Sequence, residues 1–210
     1  GWSLGARNAG MPGRRVWGAV AVLSEPSGIE PVLRSLIEAG YERPKRLRVD
    51  RGRRPLIDHA VAMARFSKEI ALISPHGVPV EIHHRVEASG NAFPTAGLLE
   101  RAETIEIWKR PWPVLSTTDL FAYICAHPAR HRWSRLHWVL DLSMMMRHPS
   151  YARDQVLRRA EAEGVRRVVE AAIPLPEALS AVIRDQPAAP GPRLTSAFVE
   201  DCIAHLEPED

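Results

Sequence analysis

The stretch Val78–Val86, which reads VPVEIHHRV, decides the fold of the first half of this chain. Its aliphatic residues alternate with other residues, which is the period of a β-strand with one buried face. Glu81, His83 and Arg85 share the opposite face, so that a carboxylate, an imidazole and a guanidinium stand in a row. The alternation predicts a strand with one side in a core and the other side available for chemistry.

The segment just before this strand is predicted to be its neighbour in the sheet. Residues 68–74 read KEIALIS, which is typical of a short strand. The intervening residues Ser74–Gly77, SPHG, are turn formers. The pattern therefore predicts an antiparallel hairpin.

Another strand is predicted at Val16–Leu23, where Ala19 and Ala21 fall on the same side. A helix is expected to follow from Ser27, which has capping-box spacing to Glu30. Gly40 is the predicted stop of that helix.

Between this helix and residue 116 the sequence predicts short, mixed elements. Residues 42–54 are strongly basic and are expected to form either a solvated loop or a phosphate-facing flap. The remaining predictions are a short helix at 55–66, a loop at 87–98, a strand at 103–108, a break at 109–113 and an edge strand at 114–115.

From Ser116 onward the apolar spacing becomes helical, and Ser116 and Asp119 form a second capping box. Pro128 is expected either to separate or to kink the first two helices. Three further helices are predicted: one at 151–172, a short one after it that ends at about residue 184, and a last one at 194–206. The fold class is therefore α+β: a small mixed β-sheet with flanking helices, then an all-helical half. The predicted domains are 1–115, 116–185, and a linker with a C-terminal helix at 186–210.

Composition fits a folded protein outside the membrane. Apolar residues make up 45% of 210 residues, and no run of about 18 apolar residues, the minimum for a membrane span, occurs. Cys125 and Cys202 lack metal-ligand spacing, which is typical of free thiols in a reducing compartment, and the cytoplasm is the expected location. The net charge of +3 is a weak indication of an anionic partner.

Four stretches together resemble the uncharacterised nucleotidyltransferase family, a branch of the DNA polymerase β-like nucleotidyltransferase superfamily. Val16–Leu23 with its following helix is similar to the first catalytic strand of that family. Val80–Arg85, VEIHHR, resembles its E-L-H-W-R strand. Leu115–His127, LSTTDLFAYICAH, and Ala129–Asp141, ARHRWSRLHWVLD, resemble two of its helices. The resemblance extends from about residue 16 to residue 180.

The resemblance implies transfer of a nucleotide from a nucleoside triphosphate to an acceptor with Mg²⁺. In the family, a D-x-D pair on the first strand and a third carboxylate on a neighbouring strand hold two ions, which lie about 3.5–4 Å apart in such sites. The positions that match the pair are Ala19 and Ala21, and Glu81 matches the third carboxylate. Glu81 is thus the catalytic candidate and the sole remaining candidate metal ligand, and the chain is expected to be an impaired enzyme, or pseudoenzyme.

Several alternatives stay open at this point. The first residues are either truncated or degenerate relative to a working parent. The chain is either a weak enzyme or a non-catalytic nucleotide- or protein-binding module on the same fold. Glu81 is either a ligand or an exposed partner of Arg85, and His83 either contacts a phosphate or is structural. The candidates for substrate binding are His83, Arg85, Arg130, His131 and Arg135.

Two weaker hypotheses concern zinc and nucleic acid. His127 and His131 have the spacing of one helix face and, with His83 or His84, would supply nitrogen ligands, although Pro128 interrupts the pair. The basic residues between 43 and 54 could bind nucleic acid.

Overall fold

The computed structural model divides into two compact units, residues 1–116 and residues 117–210. The α+β class is confirmed, with the sheets in the first unit and helices throughout the described part of the second. The structure describes residues 2–3, 20–44, 58, 61–63, 66–87, 91–184, 197, 200–202 and 204.

The first unit is built on a four-stranded sheet. Its strands are β1 (Trp2–Ser3), β2 (Val20–Leu23), β3 (Glu69–Ile73) and β4 (Pro79–His83), in the order β1-β2-β4-β3. β2 and β4 run parallel, and the other neighbours are antiparallel. The predicted β3–β4 hairpin is confirmed, with its turn at Ser74–Gly77 closed by a 2.9 Å hydrogen bond from the Gly77 N–H to the Ser74 carbonyl.

One face of this sheet is covered by helix α1 (Ile29–Glu38). Ile29 and Leu33 of α1 are buried against four residues of β3 and β4, and Val22 of β2 packs at the edge of the same cluster. The four strand residues are Ile70, Leu72, Val80 and Ile82. This apolar face is the core of the first unit.

The two ends of α1 differ from each other in how well the sequence predicts them. Gly40, at φ +85°, ends the helix as predicted, and the next N–H, that of Tyr41, reaches back to the Leu36 carbonyl at 2.9 Å. The capping box at Ser27 was wrong. Ser27 lies inside a 3-10 turn, Pro26–Gly28, so the residue before the helix is Gly28 and no side chain caps it.

A second hairpin and a short helix correct two predictions. Helix α2 (Thr95–Glu100) lies in the predicted loop, and β5 (Glu103–Ile107) pairs with β6 (Arg110–Val114), where a break was expected. Pro111 and Pro113 fit in β6 because they alternate along one edge of a two-stranded sheet, where their missing N–H groups leave the pairing with β5 intact.

The second unit contains five consecutive helices over residues 117–184. The helices are α3 (Thr117–Ala129), α4 (Leu136–Met146), α5 (Arg153–Ala162), α6 (Arg166–Ala172) and α7 (Leu175–Ile183). α3 packs against α5 and α6, and α4 packs against α7. The predicted single helix at 151–172 was wrong: Gly164, at φ +70°, ends α5 and separates it from α6.

Pro128 lies in the last turn of α3, which ends at Ala129, and α4 begins only at Leu136, so of the two expected outcomes the structure shows two separate helices. Cys125 and Cys202 are both buried free thiols, and burial raises the pKa of Cys202 to about 12. Among the described helices, none has the length and apolar character needed to cross a membrane.

Some predictions fall outside the described residues. These are the strand residues before Val20, including Ala19, the basic segment from residue 45 to 54, and the linker at 186–193. Of the helices predicted at 55–66 and 194–206, only a few residues are described, and those at 58, 61–63, 197, 200–202 and 204 are helical.

Candidate metal centre

The face of the sheet opposite α1 carries the polar residues of the strands. Strand register fixes their neighbours: Glu81 of β4 lies between Ala21 of β2 and Ala71 of β3. One pleat further along, His83 lies between Leu23 and Glu69. Because paired residues and residues two apart point to the same side, Glu69, Glu81 and His83 share one face.

The imidazole of His83 bridges the two carboxylates. Its Nε2 is 3.2 Å from Oε2 of Glu81, and its Nδ1 is 3.5 Å from Oε2 of Glu69. The His83 side chain is only 5% exposed, whereas about a third of each glutamate side chain reaches solvent. The site therefore has a buried nitrogen at its base and two carboxylates at its rim.

A lysine also approaches this group. The Lys68 Nζ lies 3.1 Å from the same Glu69 oxygen, and the Lys68 side chain is 28% exposed. Glu69 therefore has the ammonium of Lys68 and the imidazole of His83 within ion-pair distance. A cation bound to Glu69 would have to displace the ammonium, which a long and partly exposed side chain permits.

The donor atoms fit a single divalent cation. One atom from each of Glu69, Glu81 and His83 lies within 4.8 Å of the others. Octahedral ligands at about 2.1 Å from Mg²⁺ are up to about 4.2 Å apart, so only a small closure is needed. The buried Nδ1 of His83 has no hydrogen-bond partner of good geometry, which leaves a nitrogen available to a ligand. Two carboxylates suit Mg²⁺ or Mn²⁺, and the imidazole favours Mn²⁺ or another transition metal.

The described residues that pair with Glu81 on its two neighbouring strands are both alanines. The residue of β2 directly beside Glu81 is Ala21, whose methyl group offers no ligand atom. On the other side the neighbour is Ala71, also without a ligand atom. The described part of the sheet therefore brings carboxylates only from β3 and β4.

His84 and Arg85 follow the end of β4, and their surroundings differ from those of Glu69, Glu81 and His83. Arg85 donates from Nη2 to the Ser67 carbonyl at 3.3 Å. Both residues line a cavity of about 530 Å³ beside the start of α1. Burial lowers the pKa of His84, with smaller contributions from the charges of Arg85 and His83. Arg85 is thus near the end of the same strand but is held by backbone rather than by Glu81.

The remaining candidates for substrate binding belong to the second unit. Arg130, His131 and Arg135 are exposed between α3 and α4. The His127 and His131 rings are 5.2 Å apart, and His131 is 5.7 Å from the Trp138 ring. Among the described residues, the group at Glu69, Glu81 and His83 is the one set of three metal-binding side chains that meets, so the zinc hypothesis gains no support here.

Glu69 is the residue that sequence reasoning missed. It was placed inside the predicted partner strand but was not assigned a role. The signal was available, because a hairpin closed at Ser74–Gly77 pairs Ile73 with Pro79 and therefore Glu69 with His83. Register, rather than residue type, would have identified it.

A family model described as an uncharacterised nucleotidyltransferase matches residues 1–180. The chain belongs to that family. Membership makes nucleotidyl transfer the generic activity and a nucleoside triphosphate the generic substrate. A comparison with curated proteins finds no match.

Proposed function

We propose that this nucleotidyltransferase-family chain binds a nucleoside triphosphate together with one divalent cation, and that it transfers the nucleotide poorly. The cation would be held by Glu69, Glu81 and His83. The observation that supports poor transfer most directly is the register of β2 against β4, which puts the methyl group of Ala21 beside the carboxylate of Glu81.

Support for the single-cation site comes from the positions of its donor atoms. One atom from each of Glu69, Glu81 and His83 lies within 4.8 Å of the others, and the buried Nδ1 of His83 has no hydrogen-bond partner within the described part of the chain. A divalent cation would bind both carboxylates and the His83 nitrogen. Bound there, it would supply a positive charge for the phosphate oxygens of the nucleotide.

Support for poor transfer comes from what the family chemistry needs. A two-ion centre stabilises both the attacking and the leaving oxygen of the transfer. On β3 the nearby carboxylate is Glu69, which pairs with His83, whereas the β2 residue beside Glu81 is Ala21. The family resemblance assigns Ala19 to the other missing carboxylate. Glu81 and Glu69 would then orient a cation and a triphosphate without the second ion that drives transfer.

The decisive experiment restores the missing carboxylates. We expect Ala19→Asp with Ala21→Asp to tighten Mg²⁺ and Mn²⁺ binding at least tenfold, about 1.4 kcal/mol, measured by isothermal titration calorimetry with and without ATP. Adding Glu81→Gln to the double variant is expected to remove the gain, since it takes away the shared ligand.

The matched control is Ala21→Asn, which has nearly the shape of the aspartate without its charge. It should leave cation affinity at the parent value. If the double aspartate variant binds cations no more tightly than the parent, or if Ala21→Asn gives the same gain, the assignment of β2 to the metal centre is wrong.

A further inference from the structure

The second unit contains a cavity of about 830 Å³ that belongs to no site described above. It lies between the end of α4, the first residue of α5 and one side of α7. Ligand pockets in proteins are typically about 300–1,000 Å³, so this volume suits a small molecule rather than a single ion.

Three arginines line this cavity, Arg147, Arg153 and Arg184. All three are exposed, and among the described residues none of them forms an ion pair. By contrast, Arg159 of α5 and Arg166 of α6 are each paired with carboxylates. The guanidiniums at the cavity are therefore available to an anion from outside.

One acidic side chain, Glu177, also lines the cavity, so the lining side chains carry two net positive charges. Arg147 and Arg184 directly follow the last residues of α4 and α7, where a cation is locally favourable to the helix. Arg153 is different, because it is the first residue of α5, where a positive charge opposes the helix dipole. Helix stability does not explain Arg153, and binding of an anion would.

The other lining residues indicate what else the ligand could contain. Ser143 and Ser180 contribute hydroxyl groups to the lining, and Met146, Ile173 and Pro174 contribute apolar surface. A planar guanidinium binds phosphate oxygens in pairs, and three of them match a group with at least two negative charges.

We propose that this cavity is a binding site for a small phosphate ester, an ester of two or more negative charges whose apolar or hydroxylated body fills the remaining volume. The site is independent of the metal centre on the sheet, and it needs no divalent cation.

The experiment uses inorganic pyrophosphate as the probe, titrated calorimetrically into the full chain in EDTA. We expect saturable binding that Arg153→Gln and Arg184→Gln each weaken about tenfold or more. Glu177→Gln should tighten binding several-fold, because it removes the one negative charge of the lining. Arg158→Gln, an exposed arginine of α5 outside the cavity, is the matched control and should change nothing.

Glu81→Gln separates this site from the proposed nucleotide site. Loss of pyrophosphate binding in Glu81→Gln, or equal loss in Arg158→Gln and Arg153→Gln, would overturn the proposal, as would absence of binding to the parent chain. An oligoribonucleotide that binds while pyrophosphate does not would also overturn it, in favour of a nucleic-acid surface. Thermal unfolding of each variant is the measurement that tests whether its fold is retained.

Discussion

The two faces of the four-stranded sheet differ in what their side chains do, although they alternate along the same strands. On one face, Ile82 and its neighbours are buried under α1. On the other, Glu81 and Glu69 are about one third exposed around His83. Burial stabilises the first face, whereas packing does not require carboxylates on the second. The side chains of the polar face are therefore candidates for a chemical role rather than for a role in folding.

Within the polar face, the neighbouring strands β2 and β4 differ again. β4 presents Glu81 and His83, and at the same register positions β2 presents Ala21 and Leu23. At these register positions, the described part of β2 offers no ligand atom beside the candidate metal centre. Three predictions test these two contrasts.

The largest effect should come from Ile82→Ala. Ile82 is fully buried, and removing such a side chain typically costs 2–5 kcal/mol of unfolding free energy. Glu81→Ala, one residue away on the other face, should change it by less than about 1 kcal/mol. Urea unfolding followed by circular dichroism measures both. Similar losses of unfolding free energy in the two variants would mean that the polar face contributes as much to stability as the apolar face.

A smaller effect is expected from Glu69→Gln, which tests whether β3 contributes to the metal centre. Loss of one carboxylate ligand should weaken Mn²⁺ binding about tenfold, or about 1.4 kcal/mol. Glu38→Gln, an exposed glutamate on α1, serves as the control and should leave affinity unchanged. Calorimetric titration gives both values. Unaltered binding in Glu69→Gln would assign Glu69 to the ion pair with Lys68 alone.

The smallest effect is expected from Ala21→Asn. Position 21 faces the half-exposed polar side, so a polar side chain there should cost about 1 kcal/mol or less. Val22→Asn should cost more, because Val22 packs against the apolar cluster. Thermal and urea unfolding of the pair compare the two. If Ala21→Asn is the more damaging change, the assignment of faces along β2 is wrong.

The sequence predicted well those elements in which local pattern and burial agree. The β3–β4 hairpin follows from period-two alternation with a turn between the strands, and the end of α1 follows from Gly40. Prediction from the sequence failed where a residue type is compatible with two structures. Pro111 and Pro113 were interpreted as a break, but proline is also compatible with an edge strand. Gly164 lies within an apolar pattern of helical period and ends a helix there.

The candidate metal centre was only partly predictable for a different reason. Glu81 and His83 are two residues apart, so their shared face is visible in the sequence. Glu69 meets them only through strand pairing, and the position of Ala21 depends on contact between strands distant in the chain. Pairing of this kind is set by the whole sheet and not by neighbours in sequence.

The strand order also determines when the parts of this face come together as the chain folds. Val20 pairs with Val80, sixty positions later, whereas Glu69 and His83 are joined by a tight turn. Closing a short loop is entropically cheaper and faster than closing a long one. The hairpin that carries Glu69, Glu81 and His83 is thus expected to form early, and β2 is expected to pair with it afterwards. During synthesis, the three candidate ligands would therefore be brought together before Val20–Leu23 joins the sheet.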